Sequence, residues 1–254
     1  LSASSIVATT GLGETAAIDV DLNTSGTITK NGLGTLRLGG FPNSLISGPI
    51  DVNAGTLQLV WQNGPGAPTV NMNGATTLSL NNGTGNGQNF FNVVNLNSAG
   101  VAIDVQTNIS IQHGDITGSF GFEKTGIGAL GIARAISQTG LTTVSGGYIQ
   151  LMDGVFGQYG SIAGDIALNG GSLALSRTDS AMNLAGNISG TGQIFSDFAF
   201  GSGTLSGNNT FSGGVFLFGG TLRAGSSTAF GSGFIGGVTG TTLDLNGFDV
   251  SVGG

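Results

Sequence analysis

Residues 32–38 read GLGTLRL and residues 54–59 read AGTLQL, and this glycine-led strand pattern decides the fold. The first copy leads from Gly32 to Gly55, and two later copies lead from Gly126 to Gly147 and from Gly201 to Gly220. About 20 residues is the length of one solenoid coil, and each span is close to it. The spans differ from one another by an even number of positions, which keeps every side chain on its own face of a strand. The later copies are GIGALGI at 126–132 with GGYIQL at 146–151, and GSGTL at 201–205 with GGTLRA at 219–224.

Short segments that alternate apolar and polar residues surround these copies. Alternation with a period of two predicts strands with one face in a core and one in water. Glycines and Asn-Gly pairs such as Asn73-Gly74 and Asn169-Gly170 separate the segments and are typical of turns. The clearest alternating segments are 18–22, 57–59, 70–72, 78–80, 101–105, 109–111, 173–175 and 243–245.

Many short strands are typical of sandwiches, barrels and solenoids, and the internal repeat favours the solenoid. The sequence therefore predicts an all-β protein, a right-handed parallel β-helix of roughly 12 coils. We expect one β-helical domain over 1–254, with repeat cores near 30–59, 124–151 and 199–225. The weak helical pattern at 131–138 is short and begins with glycine, so we interpret it as strand or loop.

The composition suits this fold and argues against several classes of function. Only 7% of residues are charged, against about 25% in ordinary domains. Like residues stack between coils, and ladders of like charge would repel, whereas ladders of Asn, Thr and Ser can hydrogen-bond. The net charge of −7 and the lack of basic runs make nucleic acid an unexpected partner. Cysteine is absent, which suits a chain exported unfolded.

The third copy continues as GSGTLSGNNTFSGG at 201–214, then GTLRA at 220–224. This closely resembles the passenger-associated transport repeat of bacterial autotransporters. The first two copies keep a lysine before Gly-x-Gly, at Lys30 and Lys124, but lack the Asn-Thr-Phe-Ser-Gly-Gly turn. The resemblance implies a β-helical passenger, exported by type V secretion and displayed on a Gram-negative outer membrane. No signal peptide and no C-terminal membrane barrel are expected within 1–254.

The resemblance implies a structural or adhesive passenger that presents a repetitive binding surface. The expected partners are a host or neighbouring cell surface, a glycan or a matrix protein. A second copy of the chain, bound end to end or laterally, is a further possible partner. A self-assembling extracellular fibre is the first alternative, because solenoid ends expose strand edges. A polysaccharide-active enzyme is a less favoured alternative.

Catalytic patterns are weak throughout the sequence, so we predict no enzyme activity, no cofactor and no metal site. Gly126, Gly128 and Gly131 form Gly-x-Gly-x-x-Gly, but no helix is predicted after them, which favours a turn. We interpret the single histidine, His113, as a solvated loop residue, because no Gly-x-Ser-x-Gly elbow accompanies it. Two patterns with acidic residues, Asp19 with Asp21 and Asp51 with Asn53, share a strand face without nearby basic residues.

Phenylalanine is concentrated near the C-terminal end, where nine of the 15 lie at 195–248. The segment Val215-Phe216-Leu217-Phe218 is apolar on both faces. One interpretation is a covered outer strand over a buried phenylalanine stack. The other is an exposed stripe, centred on Phe216 and Phe218, that docks a partner.

Overall fold

Three long parallel sheets run along the chain in the computed structural model, which describes residues 5–39, 45–60, 67–80, 88–251 and 253. Sheet 1 contains Ile6–Thr9, Ile28–Asn31, Ile50–Val52, Val70–Met72, Val94–Leu96 and Ile116–Thr117. Sheet 2 contains Thr15–Ile18, Thr35–Leu38, Thr56–Leu59, Thr77–Leu80, Val101–Asp104, Phe122–Thr125, Thr142–Val144, Ile166–Leu168 and Ile188–Gly190.

Sheet 3 occupies the C-terminal part and contains the two longest strands of the described residues. Its strands are Gln88–Phe90, Ile109–Gln112, Ala129–Ile132, Tyr148–Met152, Ser172–Ser176, Met182–Leu184, Ile194–Leu205, Val215–Ala224, Ile235–Gly237 and Thr242–Asp244. Two small sheets pair Asn23–Thr24 with Leu45–Ile46, and Ala135–Ile136 with Ser161–Ile162. The single turn of 3₁₀ helix in the described residues is Val155–Gly157.

Every strand pair in the described residues is parallel and joins consecutive turns, which confirms the all-β parallel solenoid. The solenoid has about 10 turns, fewer than the roughly 12 predicted. The prediction was too high because several turns are longer than the repeat copies. Ile136 pairs with Ile162, for example, and Val70 with Val94, and both partners lie further apart in the sequence than Thr35 and Thr56 of the first copy.

The three repeat copies each form one turn, as predicted, but the register of the first two differs from the glycine spacing. Thr35 pairs with Thr56, so Gly55 lies opposite Gly34 and not opposite Gly32. In the second copy Ala129 pairs with Tyr148, so one turn is again shorter than the spacing between Gly126 and Gly147. A Cβ added to Gly55 would lie 2.4 Å from the carbonyl oxygen of Gly34, so this stacking needs glycine.

The core is one apolar column, and the alternation along the strands explains it. In Ile50–Val52, for instance, both apolar residues are buried and Asp51 between them is half-buried. Burial of each such side chain contributes about 1.5–3 kcal/mol. One predicted strand is wrong: the alternation at 18–22 lies beyond a strand that ends at Ile18. Asp19 and Asp21 therefore follow the strand and do not share its face.

Polar ladders cover the outside of sheet 1, as the low charge predicts. The side-chain amide of Asn53 donates to the Oδ1 of Asn31, Asn73 donates to Asn53, and Asn97 donates to Asn73, at 2.8–2.9 Å. A parallel ladder runs from Asn95 to Asn71 to Asp51, with both distances 2.7 Å. Each rung hydrogen-bonds to the next, so the ladder links successive turns along this face.

Two fully buried lysines hold the turns of the first and second repeats. Lys30 Nζ donates to the carbonyl oxygens of Asn31, Gly32 and Ala54, at 2.8–3.0 Å. Lys124 Nζ makes the same three contacts, with Thr125, Gly126 and Gly146, at 2.7–3.0 Å. Three donors meet three acceptors, one of them on the following turn, so each ammonium links two coils. Burial lowers the pKa of both lysines, that of Lys124 to about 8.

The third repeat has no lysine at this position and uses an asparagine in the Asn-Thr-Phe-Ser-Gly-Gly turn. Asn209 is buried, its Oδ1 accepts from the backbone N–H of Ile188 at 2.8 Å, and its Nδ2 donates to the carbonyl of Ala229 at 2.6 Å. It therefore bridges the turn below and the turn above. Phe211, which follows in the same motif, is fully buried in the core.

Candidate binding surfaces

Four phenylalanines form a ladder on the outer face of sheet 3, which we call the phenylalanine ladder: Phe195, Phe216, Phe218 and Phe234. Val215 and Leu217 point into the core, so the alternating Phe216 and Phe218 point outward. Ring centroids of Phe216 lie 6.1 Å from Phe195, 6.5 Å from Phe218 and 4.8 Å from Phe234.

The ladder is accessible to solvent. Phe218 is 53% exposed and Phe234 is 44% exposed, while Phe216 is half-buried between them. Stacked and edge-to-face rings hold one another in fixed orientations. The structure therefore places the two residues predicted from sequence on an outward stripe and not inside a covered strand.

A bulge in the strand Ile194–Leu205 lies next to the ladder. The pairing with Val215–Ala224 shifts register between Ser196 and Ser202, and Ala199 adopts a left-handed φ of 45° there. Phe198 turns inward and is fully buried, whereas Asp197 beside it is exposed. This irregularity distinguishes the third repeat from the first two.

A second candidate surface is a notch of about 130 Å³ in the middle of the solenoid. Its lining residues come from successive turns and from the loop that follows Met152. They are Phe91, His113, Ala133, Arg134, Val155, Phe156 and Gln158. Three of these residues belong to the loop at 154–160, which thus forms one wall of the notch.

His113 lies just after the strand Ile109–Gln112, in a loop as expected, but its side chain is less solvated than expected. Its ring is half-buried, stacks on Phe91 with a centroid distance of 4.6 Å, and places Nε2 2.8 Å from Asn89 Oδ1. Burial lowers its pKa below the usual range. The strand's alternation places His113 on the outer face, but Phe91 of the previous turn covers that position.

The carboxylates considered for catalysis are engaged in other ways. Asp19 forms an exposed ion pair with Arg37 at 2.8 Å, and Asp51 accepts from Asn71 in the polar ladder. No group of three or more metal-ligating side chains occurs among the residues that the structure describes.

Two further arginines are paired with aspartates. Arg177 forms a two-pronged pair with Asp179, at 2.6 and 2.7 Å, and Arg223 pairs with Asp244 at 2.8 Å. The hydrogen bonds from the Arg177 guanidinium hold the pKa of Asp179 below its usual range. Both arginines therefore already have a carboxylate partner.

Sequence reasoning missed Arg134 and the roles of the buried lysines. For the lysines a signal existed, because Lys-x-Gly recurs at the same place in two repeats. For Arg134 none existed, since its setting depends on a loop that comes later in the chain. Across the described ranges, no helix is long and apolar enough to span a membrane.

Comparison with known proteins confirms the resemblance to autotransporter passengers. Residues 28–59 and 201–224 match the passenger-associated-transport-repeat family. The chain is also similar to the adhesin BmaC autotransporter of Brucella suis biovar 1 (strain 1330), with 44% identity over 91 residues. That alignment covers 34% of this chain and 3% of the adhesin. No solved structure matches the chain.

Proposed function

We propose that this chain is part of an adhesive, non-enzymatic autotransporter passenger displayed on the surface of a Gram-negative bacterium. The similarity to an autotransporter adhesin and the two transport repeats support this class. The expected partners are a host or neighbouring cell, a glycan or a matrix protein.

The phenylalanine ladder is the observation that carries the adhesive assignment. Monomeric proteins seldom expose contiguous apolar stripes without a use for them, and aromatic side chains dominate binding energy at interfaces. A rigid ladder has little conformational entropy to lose on docking. The asparagine ladders, in contrast, present polar amides that are already hydrogen-bonded to one another.

The test compares fluorescently labelled chains on epithelial cells and on plates coated with extracellular matrix. We expect the double variant Phe216→Ser/Phe218→Ser to bind about tenfold less than the unmodified chain, in line with the loss of an aromatic hot spot. Phe120→Ser is the matched control, because Phe120 is another exposed phenylalanine and lies outside the ladder. Equal binding by the double variant and the control would remove the ladder from the proposal.

The two alternatives differ in what the same samples would show. A fibre subunit would form long assemblies in sedimentation and electron microscopy, with a length that grows with concentration. A polysaccharide-active enzyme would cleave acidic glycans, and that cleavage would fall in Asp19→Asn and Asp21→Asn variants. We expect neither result from the unmodified chain.

A further inference from the structure

The notch owes its shape to a long turn of the solenoid. The extra residues between Ile136 and Ile162 form a loop that begins at Asp153 and is closed by backbone hydrogen bonds. Gly154 N–H donates to the carbonyl of Gln158 and Gly160 N–H to that of Met152, both at 2.8 Å. These bonds close the loop on itself, so its wall of the notch is preformed.

Arg134 is the cation that stays unpaired in the described part of the chain. The chain has six basic residues, and all of them fall within the described ranges. The other three arginines form ion pairs with aspartates, and both lysines are buried against carbonyl oxygens. Among the described residues Arg134 makes no ion pair, and its buried Nε has no hydrogen-bond partner. A buried donor left unpaired is unfavourable, and an acceptor on a ligand would relieve that cost.

Aromatic rings line the rest of the notch. Phe91 and His113 line one side, stacked on each other, and Phe156 stands at the loop tip, 88% exposed, with a left-handed φ of 58°. The C–H face of a pyranose ring packs against such rings, while a few polar groups fix its orientation. Among the lining residues, His113 and Gln158 carry side-chain groups of the kind that bind sugar hydroxyls.

The charges of the notch and of the whole chain further restrict the class of ligand. The guanidinium fork of Arg134 matches the two oxygens of a carboxylate. Burial lowers the pKa of His113 and so favours its neutral form, which leaves Arg134 as the one permanently charged side chain among the described lining residues. The chain as a whole carries a net charge of −7, which repels long polyanions. A single acidic sugar at the end of a glycan satisfies these conditions.

We propose that this notch binds a terminal, carboxylate-bearing sugar, with the carboxylate on Arg134 and the ring against Phe91 and His113. The site is separate from the phenylalanine ladder, so this proposal goes beyond the adhesive assignment. Uronic and sialic acids share the required chemistry, and the experiment distinguishes them.

The test titrates the purified full chain with methyl glucuronide and with sialyllactose, and follows binding by ligand-detected NMR and calorimetry. Methyl glucoside and lactose are the neutral counterparts, and glucose sulfate tests the other anion. We expect an acidic sugar to bind about tenfold tighter than its neutral counterpart, and Arg134→Gln to weaken it about tenfold, as for a lost charged hydrogen bond. Arg134→Lys, which keeps the charge without the fork, should be intermediate.

The matched control is Arg37→Gln, which removes an exposed, ion-paired arginine and should leave sugar affinity unchanged. Circular dichroism should show the same fold for all variants, since the side chain of Arg134 makes no hydrogen bond or ion pair in the described part of the chain. Equal affinity for acidic and neutral sugars, equal affinity of Arg134→Gln and the unmodified chain, or tighter binding of the sulfate would each overturn the proposal. Because free sugars are used, failure here leaves the phenylalanine ladder assignment intact.

Discussion

The first and third repeats each form one turn of the solenoid, but different buried polar groups link that turn to its neighbours. In the first, Lys30 joins three carbonyl oxygens across two coils, and Asn31 begins a polar ladder outside. In the third, Asn209 joins the coils and the outer face carries the phenylalanine ladder. The glycines and the apolar column set the register in both repeats. What stacks outside the core is free to vary, so the same geometry carries a polar face in one repeat and an aromatic face in another.

The largest effect is expected at the third repeat's bridge. Asn209→Leu leaves the N–H of Ile188 and the carbonyl of Ala229 buried without partners, which should lower the free energy of unfolding by about 2–4 kcal/mol. Asn208→Leu is the control, because that neighbouring side chain is exposed. Urea denaturation measures both. Equal losses in the two variants would show that Asn209 does not bridge the coils.

The variant Lys124→Met tests the buried lysine that links two coils at the second repeat. The change leaves three buried carbonyls without a donor but also removes a buried charge, so we expect a net loss of about 1–3 kcal/mol at pH 7. Arg223→Met, at an exposed ion pair, should cost less than about 1 kcal/mol. A Lys124→Met variant as stable as Arg223→Met would contradict the role of Lys124 in linking two coils.

The same lysine predicts a pH dependence. Burial lowers the pKa of Lys124 to about 8, so between that value and its ordinary value of 10.5 the unfolded chain binds more protons than the folded one. With allowance for screening by solvent, the free energy of unfolding should therefore rise by about 1–2 kcal/mol from pH 7.5 to 9.5. Lys124→Met should lose this part of the rise, so its deficit should widen with pH. Parallel pH profiles for the two proteins would exclude the lowered pKa.

The smallest effect is expected on the asparagine ladder. Asn73→Ala removes one donated and one accepted hydrogen bond at an exposed site, and should cost about 1 kcal/mol. Asn169→Ala is the control, an exposed asparagine outside the ladder whose change should have almost no effect. Thermal melting of the two variants makes the comparison, and no difference between them would mean that the ladder adds no stability.

Periodicity predicted the architecture because core positions repeat with a fixed spacing along each strand. The segments at 57–59, 70–72 and 78–80 are strands with the predicted inward faces. The pattern also pointed to Phe216 and Phe218 but left open whether their outer face is covered. Turn length was harder, because loops such as 154–160 add residues without disturbing register. The notch around Arg134 depends on which turns stack under that loop, so local sequence carries no sign of it.

The account depends on one parallel register that runs through both kinds of ladder, and the absence of cysteine allows a direct test. In that register Phe195 lies beside Phe216 and Asn71 beside Asn95, while Leu217 points into the core. Neighbouring strands are about 4.8 Å apart, within the range for a disulfide. Under mild oxidation, Phe195→Cys/Phe216→Cys and Asn71→Cys/Asn95→Cys should both form an intramolecular disulfide, and Phe195→Cys/Leu217→Cys should remain reduced. Preferential cross-linking of positions 195 and 217, or of neither matched pair, would contradict the register and with it both ladders.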